Sequence, residues 1–320
     1  MSASRPGELQ RPTRSPAAWL TRAERGSAFL LKVMRILSLR LGRRAARVFL
    51  YGIAAYFFLF APTVRQHARE YLRRALGREP SARDRFRHLL YFATTIHDRV
   101  YLAGNSARFE VTVEGEALVA AARAAQSGAF LIGAHFGSFD AIRAIGERQG
   151  RVDVVMAMYE ENARKISASL AAVNPQATPD VIPLGTLDAL LKLRSRLEQG
   201  AFVGVLADRT LSDEPSVRVP FLGDSASFPL GPFRVAAMLG RRVLFMAGLY
   251  RGGCRYHVVF EELADFAGVE AGARDAAARS AVGRYVNLLE RHCRSDPYNW
   301  FNFFDFWHEH TSATAGQPGA

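Results

Sequence analysis

From about residue 108 the chain alternates short runs of apolar, β-branched or aromatic residues with stretches of helical spacing. Ala129–Gly133, Val152–Met158, Ala201–Ala207 and Val243–Tyr250 are the apolar runs, and Arg255–Glu261 alternates as a half-exposed strand does. Between them Leu187, Leu190, Leu191 and Leu197 recur at helical spacing ahead of Gly200, and Gly231–Gly240 and Gly272–Arg294 carry the same period. Strands apolar on both faces need cover on both faces, and intervening helices supply it. The predicted fold is α/β, a mostly parallel central sheet flanked by helices, over residues 108–310.

The first third of the chain is built differently. Residues 1–100 carry 20 Lys and Arg against 6 Asp and Glu, a net of +14, while the other 220 residues carry 22 against 24. Lys32, Lys165 and Lys192 are the only lysines, so this charge is almost all guanidinium, which pairs bidentately with phosphate. Val48–Ala61 has no charge and Pro62 stops it; arginines stand on both sides, Arg40, Arg43, Arg44 and Arg47 before and Arg65, Arg69, Arg73 and Arg74 after. Fourteen residues fall short of the roughly 20 that cross a bilayer. A short aromatic run between arginines suits a segment lying in a membrane interface at least as well as a span; the alternative is a buried core helix with solvated arginines. Residues 17–107 are therefore expected to be a basic, helical, membrane-associating region, and residues 1–16 and 311–320 disordered tails.

Cys254 and Cys293 are too few for a disulfide framework and have no zinc spacing, which fits reducing, cytosolic surroundings. The sequence has no phosphate-cradling Gly-x4-Gly-Lys-Ser/Thr, no Gly-x-Gly-x-x-Gly after a strand and no Gly-x-Ser-x-Gly elbow. Kinase, dehydrogenase and α/β-hydrolase chemistries lose their main support.

Sites in parallel sheets lie beyond the carboxyl ends of the strands. Two apolar runs end in polar residues there: Ala129-Phe-Leu-Ile-Gly-Ala is followed by His135-Phe-Gly-Ser-Phe-Asp140, and Phe202-Val-Gly-Val-Leu-Ala by Asp208-Arg209. Gly137 and Ser138 let the chain turn, so Asp140, in the first turn of the next helix, is expected to orient His135 as a general base. The alternatives are a first-turn acid favoured by the helix dipole and a core histidine.

Gly133-Ala-His135-Phe-Gly-Ser-Phe-Asp140 resembles the His-x4-Asp block of the lysophospholipid acyltransferase superfamily, particularly its bacterial lipid A biosynthesis (lauroyl/myristoyl) branch. Further blocks resemble that family in order: Leu206-Ala-Asp208-Arg209, Pro220-Phe-Leu-Gly223, Phe228-Pro-Leu-Gly231-Pro232 and Pro297-Tyr-Asn-Trp300-Phe-Asn-Phe-Phe-Asp305-Phe-Trp307. The resemblance covers roughly residues 20–310. It implies transfer of a fatty acyl group from an acyl-carrier-protein or coenzyme A thioester, as co-substrate, to a hydroxyl of a lipid or glycolipid acceptor. The place implied is the cytoplasmic face of the inner membrane, against anionic phospholipid, with no cofactor, metal or nucleic acid.

By the same resemblance His135 and Asp140 are catalytic, and Asp208, Arg209, Phe221, Gly223, Phe228 and Gly231 bind substrate. Phe221 and Phe228 either border the acyl cleft or pack. Two positions depart from the lipid A enzymes: Tyr159 is followed by Glu160 and Glu161 where Arg-Pro is usual, and Arg209 replaces a glutamine. Arg209 is either a ligand for acceptor phosphate or the oxyanion, or an exposed arginine. These departures and the aromatic tail look more like the subgroup associated with aryl polyene pathways. Asp305-x-x-His308-x-His310 is set aside as a metal site because its aromatic surroundings suit a core or an acyl groove. The competing readings are a noncatalytic basic protein that binds membrane or nucleic acid, and a thioesterase using the same base.

Overall fold

The structure is a computed structural model and describes residues 28–102, 106–148, 153–159, 180–210 and 214–307. Three helices come first: α1 (Ala28–Phe60), which kinks at Gly42, α2 (Pro62–Leu76) and α3 (Ala82–Leu102). Then follow β1 (Glu110–Glu114), α4 (Glu116–Ala124), β2 (Ala129–Gly133), α5 (Phe139–Arg148), β3 (Val154–Tyr159), β4 (Val181–Leu184), α6 (Leu187–Glu198) and β5 (Phe202–Leu206). A hairpin of β6 (Ser216–Phe221) and β7 (Asp224–Pro229) precedes α7 (Gly231–Met238), β8 (Arg242–Tyr250), β9 (Arg255–Asp265) and α8 (Arg274–Ser295).

Seven strands form one sheet in the order β1-β9-β8-β2-β5-β3-β4. Every neighbouring pair is parallel except β8 with β9, so β8, β2, β5, β3 and β4 run one way and β9 and β1 the other. The predicted mostly parallel sheet between helices is the fold observed. Side chains alternate along each strand, which divides the core in two. Phe130 and Ile132 of β2 pack with Leu193 and Leu197 of α6 and Val282, Tyr285 and Leu289 of α8. Ala129 and Leu131 face the other way, with Ala141 and Ile145 of α5 and Tyr101 of α3. At about 25 cal/mol per Å² these two apolar layers supply the main stabilising term.

The β6–β7 hairpin closes through Leu222 and Gly223, both at positive φ (51° and 85°), the pattern of a tight primed turn that matches strand twist. Its inner face, with Phe221 and Phe228, lies against the aromatic tail that follows α8.

The basic first third is clamped to the sheet. Arg43 of α1, 6% exposed, gives two 2.7 Å hydrogen bonds to the buried Asp98 of α3 and others to the Gly253 carbonyl (2.6 Å) and Cys254 Sγ (3.0 Å). Tyr256 of β9 donates to Asp98 Oδ2 at 2.8 Å. Beyond this clamp α1 presents Val48, Phe49, Tyr51, Tyr56, Leu59 and Phe60 exposed. Among the described residues no single helix is long and apolar enough to cross a membrane; one pair, Gly42–Phe60 with Pro62–Leu76, bent by 95°, passes by length and composition only. The expected tails, 1–16 and 311–320, lie outside the described residues, as do Glu160 and Glu161.

Candidate active site

The sheet register builds the site. Strands β2 and β5 are parallel neighbours with Gly133 opposite Leu206, so the residues two beyond each end, His135 and Asp208, come out side by side. Asp208 Oδ1 accepts from His135 Nδ1 at 2.8 Å, and Oδ2 accepts from the His135 backbone N–H and from Trp300 Nε1–H, each at 3.0 Å. Burial opposes the charge on Asp208, but the charge and hydrogen bond of His135, the Arg209 guanidinium and the indole donor outweigh it and hold the carboxyl well below the usual carboxylate range. An ionised carboxylate only accepts, so Nδ1 carries the proton and Nε2 is left with its lone pair. Burial first, then Arg209, and more weakly Arg99, push the imidazole below its ordinary value against the opposing pull of Asp208. The ring is therefore neutral at neutral pH, and its side chain is 35% exposed.

This geometry corrects the expected role of Asp140. Asp140 lies 3.0 Å from Arg99 Nε of α3 and 3.9 Å from Arg143 Nη2, and the partner of the imidazole is Asp208. The intervening turn is the cause. Gly137 sits at φ 73°, bridged to Gly248 of β8, where a Cβ would lie 2.0 Å from the Gly248 carbonyl oxygen. Ser138 Oγ then caps α5 by accepting from Ala141 N–H, and the first turn of that helix points Asp140 at α3.

The other residues expected to bind substrate have structural positions of their own. Asp208, expected to bind substrate, is 2% exposed and committed to His135 and Trp300. Phe221 and Phe228 are fully buried, in edge-to-face contact with each other (5.4 Å between centroids) and with Phe306, and pack instead of lining a cleft. Gly223 is the hairpin turn and Gly231 opens α7, positions set by chain geometry. Arg209 remains at the site, part-buried, reaching toward the Phe301 carbonyl (3.5 Å) and over the Phe304 ring (5.2 Å).

Trp300, His88 and Arg99 are additional members of the site. His88 of α3, fully buried, donates from Nε2 to the Trp300 carbonyl at 2.8 Å, and burial pushes its imidazole down to about 4, so it stays neutral. Trp300 had a sequence signal in the Pro297–Trp307 block, without a role; His88 and Arg99 stand in an arginine-rich helix that advertises only charge. Asp305 comes close to His67 and Glu70 of α2, their ligand atoms within 4.8 Å of one another, while His308 and His310 lie outside the described residues.

The loop's own backbone donors are used internally. His135 N–H goes to Asp208, Phe136 N–H to the Ala134 carbonyl, Gly137 N–H to the Asn299 carbonyl and Ser138 N–H to the Gly248 carbonyl. Negative charge developing beside His135 would therefore be met by side chains, and Arg209 and Arg99 are the cations whose fields reach the ring.

A buried acid orienting a neutral, part-exposed histidine at the carboxyl edge of an α/β sheet defines a class: proteins equipped to take a proton from a bound hydroxyl or water. The chain's sequence then fixes the family. A family model of the bacterial lipid A biosynthesis acyltransferases matches residues 19–308, and the chain belongs to that family, which implies acyltransferase activity. No curated protein matches the chain in a sequence comparison.

Proposed function

We propose that the protein transfers a fatty acyl group from the thioester of acyl carrier protein or coenzyme A to a hydroxyl of a lipid or glycolipid acceptor, with His135 as general base and Asp208 as its positioning residue. The observation that carries this is the 2.8 Å bond from His135 Nδ1 to Asp208. Nε2 removes the acceptor's hydroxyl proton as the oxygen attacks the thioester carbonyl carbon. The tetrahedral oxyanion collapses, the C–S bond breaks, and the imidazolium returns its proton to the departing thiolate. Such a base is worth about 10²–10⁴ in rate, and one oxyanion donor about 10²–10³. Arg209 and Arg99 are the donors this reading assigns to the oxyanion, standing in for the arginine absent after Tyr159.

The exposed aromatic and aliphatic side chains of α1, flanked by arginines, support seating at an anionic membrane surface, the cytoplasmic face of the inner membrane. There an amphiphilic acceptor and a soluble thioester meet. The test is to incubate purified protein with acyl-carrier-protein and coenzyme A thioesters and a total lipid extract, and to compare wild type with His135→Ala by mass spectrometry. New acylated lipids with wild type and none with the variant are expected. Identical products from both would remove His135 from the mechanism, and free fatty acid without acylated lipid would make the protein a thioesterase.

The pH dependence carries a second expectation. Arg209 disfavours the imidazolium, so Arg209→Gln raises the pKa of His135 and moves the acid limb of kcat/KM to higher pH. A limb that stays in place while kcat falls would confine Arg209 to the oxyanion, and one that stays in place while only KM rises would confine it to substrate binding.

A further inference from the structure

A second concave site lies on the far face of α3 from Arg99. Arg83, Arg87, Leu90, Tyr91 and Thr94 fall at helical spacing along one side of α3, and Arg47 and Tyr51, four apart, face them from α1. Tyr250 and Gly252, at the carboxyl end of β8, form the floor of a cavity of about 360 Å³. Three guanidinium groups line it and no carboxylate does, among the described residues. Asp84 of α3 lies outside the lining, bonded to Arg78, Ser81 and Tyr298, and its charge reaches Arg87 from there. The aromatic walls fix the arginines: Arg87 donates to Tyr91 Oη at 2.7 Å and lies over the Tyr298 ring, and Arg47 reaches Tyr250 Oη at 3.4 Å.

Three guanidinium groups in one concavity whose wall holds no carboxylate, with Asp84 acting on Arg87 from outside it, favour an anion, and guanidinium planes suit phosphate oxygens. The surroundings name the kind of phosphate. Tyr51 belongs to the cavity wall and stands at one edge of the broad exposed apolar face of α1, next to Val48 and Leu59, with Tyr56 and Phe60 farther round the helix. A phosphate ester held in the cavity would have hydrocarbon alongside that face. We propose that the cavity between α1 and α3 binds the headgroup phosphate of an anionic phospholipid whose chains lie along the apolar face of α1. Basic pockets between helices at a membrane surface recognise headgroups in this way. The site is separate from His135, and it rests on the membrane reading only for the source of its ligand.

The test is binding, measured without acyl transfer, so the two proposals fail separately. The full chain in detergent is titrated calorimetrically with short-chain phosphatidic acid, short-chain phosphatidylcholine, inorganic phosphate and coenzyme A. Phosphatidic acid is expected to bind and to raise Tm, with phosphatidylcholine and inorganic phosphate much weaker. Arg83→Gln/Arg87→Gln should weaken phosphatidic acid by at least about tenfold, since charge-assisted contacts are lost. Arg44→Gln/Arg73→Gln, which removes equal charge outside the cavity, should stay within about threefold of wild type. Circular dichroism on each variant confirms folding, and single Arg47→Gln repeats the test should the double variant misfold. Equal losses in the cavity and control variants would reduce the effect to general charge and overturn the proposal. Equal binding of inorganic phosphate, or coenzyme A binding tighter than that of phosphatidic acid and lost in Arg83→Gln/Arg87→Gln, would overturn the lipid assignment.

Discussion

Asp208→Asn is expected to cost about 10⁴ in kcat while leaving the fold in place, because it inverts the hydrogen bond that sets the histidine tautomer. Oδ2 accepts two N–H groups that must keep an acceptor, the His135 backbone and the Trp300 indole. An asparagine of the same shape therefore turns its carbonyl oxygen to those two and its amide group to His135 Nδ1. Facing a donor, Nδ1 gives up its proton, and the proton moves to Nε2, where the lone pair was needed. Kinetics with saturating thioester, alongside thermal melts, check the result; a variant within about tenfold of wild type would show that the pair does not set the tautomer.

Asp140→Asn is the contrast. Asp140 stands one contact behind Arg99, so loosening that arginine should cost about 10² or less, with the acid limb of kcat/KM little moved. Reversed ranking of the two variants would return the orienting role to Asp140.

The difference between these two aspartates marks where the sequence stops being readable. His135 was legible because strand-end position is a local property: an apolar run, then a polar residue. The partner was not, because 73 residues separate His135 from Asp208 and only the adjacency of β2 and β5 unites them. Nothing in two apolar runs says that they are neighbours, whereas His-x4-Asp offers a closer carboxylate along the chain. Element by element the same physics holds. The apolar β2 and β5, β8 after its leading Arg242, and the alternating β9 announce themselves, but β4 contains Pro183, which suits its place at the sheet edge and obscures the strand in the sequence. β1 begins and ends in glutamate, and β6–β7 is short, half-exposed and closed by Leu222-Gly223 without a strong turn signature. Phe221 and Phe228 were legible as apolar residues in a motif, but burial against Phe306 and Trp300 is a long-range property.

Asp98→Ala should lower stability by about 3–5 kcal/mol, the range for leaving one partner of a buried ion pair alone. In this chain the orphan is Arg43, 6% exposed and already desolvated, with the Gly253 carbonyl, Cys254 Sγ and the face of Phe109 as its remaining contacts. None of these carries the formal charge that balances a guanidinium. Tyr256 loses its acceptor in the same substitution. For a chain of this size the expected fall in Tm is about 5–15 °C. Replacing both partners, Arg43→Met with Asp98→Leu, should recover much of the loss, because the cost lies in the unpaired charge and not in the absence of the pair. Activity should fall with Asp98→Ala beyond what unfolding explains. The clamp sets the position of α3, and α3 carries Arg99 to Asp140 at one end and His88 to the Trp300 carbonyl at the other. Through Trp300 the clamp reaches Asp208 and hence the tautomer of His135. Unchanged Tm in Asp98→Ala would mean that the basic first third is an appendage to the sheet; a lowered Tm with wild-type kcat at low temperature would mean that it is fastened there but does not shape the site.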